Sequence, residues 1–172
     1  LHPEQVTLSP DGKRAAVLAP AELPDGNGLA EARVWVRELG KDGRGTDLGN
    51  GKMARWSGDG TALVVTDFTD GPPGSDPKAS HHVVNVATKT RTAVKLPTDH
   101  IVTDWSRDGK YFLTTQVTTR DDGKGGKTPV SRLWVMNRDG TEHKALSDGK
   151  RFDVLGKYSP DGKRVLHMEV ET

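Results

Sequence analysis

Apolar positions along this chain come in short bursts of four or five residues, each closed by a turn. Runs at 5–8, 53–56, 101–105 and 154–158 are rich in β-branched and aromatic residues, as are runs at 14–18, 62–66, 111–115 and 165–168. None sustains a 3.6-residue pattern, so the period predicts strands rather than helices. One four-residue box separates the members of each pair: Ser9-Pro10-Asp11-Gly12, Ser57-Gly58-Asp59-Gly60, Ser106-Arg107-Asp108-Gly109 and Ser159-Pro160-Asp161-Gly162. The boxes recur at spacings of 48, 49 and 53 residues, and the first and last open the same string, SPDGKR.

Turn chemistry explains the box. Ser at the first position of a type I turn can bond back to the backbone, and Pro suits the second without being required. Asp suits the third and Gly the fourth. A glycine with positive φ then returns the chain as a hairpin with a one-residue bulge. A third strand recurs 23 to 25 residues after the box glycine, as Arg33-Val34-Trp35-Val36, His82-Val83-Val84-Asn85-Val86 and Arg132-Leu133-Trp134-Val135. Another turn, clearest as Arg138-Asp139-Gly140-Thr141, leads to a fourth run such as 92–96 or 143–146. Four antiparallel strands at a period near 50 residues predict an all-β chain of β-propeller blades. The units fall at about 1–50, 51–99, 100–150 and an incomplete 151–172, with no domain boundary expected inside the chain.

The string RLWVMNRDGTEHKALSDGK followed by YSPDGKRVLHMEV resembles the propeller repeats of the periplasmic TolB family. Similar repeats occur in the amino-terminal propellers of prolyl-oligopeptidase-type serine peptidases. The resemblance covers essentially the whole chain. The TolB likeness implies a non-enzymatic scaffold that holds other proteins together in the cell envelope. The peptidase likeness implies a gating propeller beside a hydrolase domain, and such repeats also serve as sensor domains of larger regulatory proteins. The repeat carries no catalytic residue to transfer, and propellers of this kind serve many purposes.

Composition narrows the classes further. With 25 basic and 24 acidic side chains the net charge is +1, without the basic excess or stripe of a nucleic-acid binder. The absence of cysteine excludes disulfide and thiolate-metal scaffolds. No apolar run approaches the roughly 18 residues of a membrane helix.

Each chemical motif has a structural reading that suffices. Asp11, Asp59, Asp108 and Asp161 could form a carboxylate ring, but turn formation alone accounts for them. His81 and His82 are adjacent on a strand and face opposite sides, which disfavours joint ligation. Asp67-Phe68-Thr69-Asp70-Gly71 begins like a calcium loop but lacks the spacing and closing Glu. Gly126-Lys127-Thr128 ends like a phosphate loop, yet Asp121 occupies the required upstream glycine position. Ser159 lies outside any Gly-x-Ser-x-Gly elbow. Trp56 and Trp105 precede their boxes at matched positions, and Trp35 and Trp134 match on the third strands. That repetition argues for packing between blades. No catalytic, cofactor or metal residue is therefore assigned.

The long polar insertions at 20–30, 69–80 and 120–129 join second to third strands and should emerge on one face. They are the expected surface for a protein partner, since loops on a rigid scaffold tend to carry binding. Fourteen strands make three and a half blades, which leaves the last strand with an open edge. Either the chain is part of a longer propeller, or two copies associate as a homodimer.

Overall fold

The computed structural model describes residues 5–22, 29–43, 45–69, 78–97, 99–121, 123, 125–141 and 143–170. All regular structure among them is β. The first antiparallel sheet orders β1 (Gln5–Leu8), β2 (Arg14–Glu22), β3 (Leu29–Glu38) and β4 (Thr46–Asn50). The second orders β5 (Met53–Trp56), β6 (Ala62–Thr69), β7 (Lys78–Asn85) and β8 (Arg91–Val94). The third orders β9 (His100–Trp105), β10 (Tyr111–Asp121), β11 (Lys127–Asn137) and β12 (His143–Ala145). A two-stranded sheet of β13 (Phe152–Tyr158) and β14 (Val165–Val170) follows. These are β-propeller blades, three complete and one present as its first two strands. By contact the chain divides into two compact units, Leu1–Ala93 and Val94–Thr172.

The boxes make the turns that their residues demand. In each, the glycine N–H donates to the serine carbonyl three residues back at 2.8–2.9 Å. Gly12, Gly60, Gly109 and Gly162 all have φ between 67° and 73°, a region open to glycine at little steric cost. The serine hydroxyl accepts the N–H of the residue five places on at 2.9–3.0 Å, which closes the hairpin.

The second strands of the three four-stranded sheets carry the most deeply buried side chains, among them Ala16, Leu18, Leu63, Val64, Val65, Phe112 and Leu113. In the first unit, Ala16, Leu18, Val34, Val36, Leu63, Val65 and Val84 form one core with Trp56. The Trp56 indole N–H donates to the Thr7 carbonyl at 3.0 Å, and the Arg14 guanidinium lies 5.1 Å from its ring. Arg14 also donates to the Gly60 carbonyl at 2.8 Å, tying the first box to the second. In the second unit Trp105 packs on Phe112 at 5.1 Å between centroids, and Arg107 reaches the Pro160 carbonyl. Trp56 and Trp105 are thus core residues, whereas Trp35 and Trp134 are only half-buried.

The second and third strands run further than their apolar patterns predict. Residues 20–22 and 29–30 of the first insertion, 69 and 78–80 of the second, and 120–121 and 127–129 of the third are strand. Those three segments are therefore not loops throughout; the rest of the first two lies outside the described residues. Cross-strand pairing overrides local composition here: Glu22 pairs with Leu29, Thr69 with Lys78, and Asp121 with Lys127.

Candidate functional site

The box carboxylates are consumed by their own turns. Asp11 accepts the Ser9 hydroxyl at 2.6 Å and the Lys13 N–H at 3.1 Å, and Asp108 and Asp161 repeat the arrangement. Asp59 adds the Thr61 hydroxyl to the same set. The serine hydroxyl and then the backbone N–H hold all four below the usual carboxylate range. Among the described residues no three His, Asp or Glu side chains gather to hold a metal.

The remaining sequence candidates are dispersed. His81 is buried, with Nδ1 2.9 Å from the Thr66 hydroxyl. The His82 Nδ1 is buried without a hydrogen-bond partner, and burial with Arg91 nearby pushes its pKa down against the pull of Asp67. Asp67–Thr69 of the calcium-like stretch belong to β6, and Lys127 and Thr128 of the phosphate-loop-like stretch belong to β11, with no helix following among the described residues. Neither stretch forms a ligand loop where it is described.

What the residues do build is a set of projecting hairpins. The β10–β11 ladder continues from Val117↔Ser131 to Asp121↔Lys127, while β9 has already stopped at Gln116↔His100. In the second sheet three rungs, from Asp67↔Ser80 to Thr69↔Lys78, lie beyond the last β5 pair, Met53↔Thr66. In the first, the ladder runs past Gln5↔Leu18 to Glu22↔Leu29. Pro20 and Pro129 sit in these extensions, where a missing N–H costs no ladder bond to a flanking strand. On the third hairpin Thr118–Asp121, Lys127 and Pro129 are exposed, and the Asp121 carboxylate caps the turn by accepting the Gly123 N–H at 2.9 Å.

Polar clusters brace the bases of the hairpins. In the first unit Arg33 grips the Asp47 carboxylate at 2.7–3.2 Å and donates to the Asn50 side-chain oxygen at 2.9 Å. Arg91 donates to the Leu48 and Asn50 carbonyls at 2.9 and 3.1 Å. Burial raises the Asp47 pKa, but the Arg33 and Gly49 hydrogen bonds outweigh it and leave the group lowered. In the second unit Trp134 stands between His100 and His143, with centroids at 5.8 and 5.1 Å, and Arg132 lies 5.7 Å from its ring. Its indole N–H donates to Gln116 at 3.0 Å, and Gln116 donates to Asp99 at 2.7 Å. Burial pushes the His100 pKa down despite Asp99. Single-residue reasoning missed this cluster because its members come from four strands. The signal available was the matched tryptophan alone.

No protein-family profile matches the chain. It is 25% identical over 112 residues to a protein named TolB homolog from Chlorobium luteolum, covering 65% of this chain and 22% of that one. The crystal structure of TolB from Acinetobacter baumannii superposes with a TM-score of 0.70 at 17% identity, covering 98% of this chain and 38% of that one. An acylaminoacyl peptidase from Pyrococcus horikoshii gives 0.63 at 17% identity, over 90% of this chain and 26% of that one. The β-propeller domain of the Trilobed protease from Pyrococcus furiosus gives 0.56 at 16% identity, over 88% and 46%. The repeats thus have the fold shared by TolB and the propellers of prolyl-oligopeptidase-type proteases. The chain spans about a fifth of the curated relative's length.

Proposed function

We propose that this chain is a non-enzymatic propeller module that binds protein through the projecting second-to-third-strand hairpins. The observation that carries the reading is the extension of the second and third hairpins beyond the last pairs of their first strands, which on the third puts exposed, mostly polar ribbon on a braced base. Paired ribbon loses less entropy on binding than a free loop would. The likeness to TolB supports this reading and an extracytoplasmic location. A photo-crosslinking residue at Thr119 or Lys78 tests it, compared with one at Lys13 or Lys163 beside the boxes. In cell-envelope extracts, discrete crosslinked species at the hairpin positions and not at the box positions are the expected result. Crosslinking confined to the box positions overturns the reading.

The likeness to an acylaminoacyl peptidase and a protease propeller domain favours a second reading, a gating propeller beside a serine hydrolase. The continuous reading frame decides it. A Gly-x-Ser-x-Gly elbow with fluorophosphonate labelling of the full-length product would establish the peptidase reading.

A further inference from the structure

The three second-to-third-strand hairpins differ at the edge of their second strand. Which backbone groups face that edge follows from the ladder. In the third sheet the Val117 and Ser131 N–H groups point away from each other, to the Asp99 carbonyl at 3.4 Å and the Arg151 carbonyl at 3.0 Å. Outward groups recur at every second residue of an antiparallel strand. Thr119 and Asp121 therefore also point outward on β10, and Pro129 and Lys127 do so on β11. The β9 pairing ends at Gln116↔His100, so among the described residues no strand receives the outward groups of Thr119 and Asp121.

The other two second strands are blunted at the matching place. The Ala32 carbonyl accepts the Gly51 N–H at 3.0 Å, so Ala32 and its partner Pro20 are outward residues, and Pro20 has no N–H to offer. The Thr66 carbonyl accepts the Lys52 N–H at 2.9 Å, which makes Phe68 the next outward residue, and Lys52 Nζ donates to the Phe68 carbonyl at 3.4 Å. Proline and lysine are common means of protecting an exposed edge. On the third hairpin the proline lies on the opposite edge, at Pro129, and the β10 edge has neither device. Thr118–Asp121 are exposed there. Arg120 faces Thr128 across the ladder, and no carboxylate of the described residues pairs with it.

We propose that the outer edge of β10 at Thr119–Asp121 adds an antiparallel strand from a partner protein, with an acidic side chain opposite Arg120. This rests on the reading that the hairpins bind protein, and it names the hairpin, the mode and the partner's chemistry. The added residues opposite Thr119 and Asp121 form hydrogen-bonded pairs, so neither is proline. The residue between them forms a non-hydrogen-bonded pair with Arg120, where side chains come closest and opposite charge favours pairing. A second copy of the chain fits poorly. The register that uses Thr119 and Asp121 of both copies sets Arg120 against Arg120, and like charges directly opposite are destabilising.

Amide hydrogen exchange read by NMR tests this on the whole chain with a capped Lys-Thr-Val-Glu-Val-Thr-Lys peptide. With the peptide at about 10 mM and a Kd of about 1 mM, exchange at Thr119 and Asp121 is expected to slow about tenfold. The same peptide N-methylated at both valines keeps its side chains but loses the ladder donors, and should give no protection. Arg120→Glu changes one exposed side chain, so it should keep the wild-type melting temperature and move the protection to a peptide with Lys in place of the central Glu. Absence of protection, equal protection by the N-methylated peptide, or indifference to the charge at Arg120 overturns strand addition, even where crosslinks at the hairpin positions show that the hairpins bind protein. Absence of those crosslinks overturns the reading on which the proposal rests. Protection without peptide that grows with chain concentration overturns it in favour of a second copy.

Discussion

Trp56 joins the first sheet to the second, and its removal can be worked through in free energy. The indole is 7% exposed, donates to the Thr7 carbonyl and lies beneath the Arg14 guanidinium. Trp56→Ala loses the transfer free energy of the ring and leaves a cavity, together about 3–5 kcal/mol. The hydrogen bond accounts for about 1 kcal/mol of that loss and the cation–π contact for about 0.5–1 kcal/mol. Trp56→Phe keeps most of the volume and should cost about 1–2 kcal/mol. A double-mutant cycle of Arg14→Ala with Trp56→Leu, which removes the aromatic face, isolates the coupling, expected at about 0.5–1 kcal/mol. Urea unfolding followed by far-ultraviolet circular dichroism is the assay. At a slope of about 2 kcal/mol/M, a 4 kcal/mol loss moves the midpoint by about 2 M. A loss below about 1 kcal/mol for Trp56→Ala would refute the packing argument.

Other expectations can be checked on the same preparations. A Cβ at Gly51 would overlap Val65 Cγ1 and come within 3.0 Å of Val34 Cγ2, so Gly51→Ala should cost about 1–3 kcal/mol in urea melts. Burial, with Asp104 and Asp108 adding to it, pushes the Tyr158 pKa up to about 12. Its contribution to stability should therefore be full below pH ~10 and vanish as pH rises toward that value. Absorbance at 295 nm should show a phase near there that Tyr158→Phe removes. The box aspartates are held low, so their contribution is full above pH ~4 and drains below it. Asp59→Asn should flatten that acid limb, and an unchanged limb would count against the turn assignment. Replacing residues 72–77 with a short Gly-Ser link should leave the melting temperature nearly unchanged; unfolding would show that the segment is a packed element.

Local chemistry alone determined much of this protein. The Ser-x-Asp-Gly box sets its turn through bonds between residues no more than five apart, so the sequence predicts every box hairpin and the strands on either side. The matched Trp56 and Trp105 were legible as core because repetition samples the same environment twice. Tertiary structure decided the rest. Arg120, Asp121 and Lys127 have no strong strand preference, and only the ladder from Val117 onward makes them strand. The cluster of His100, Gln116, Trp134 and His143 exists because four separate strands meet in one sheet.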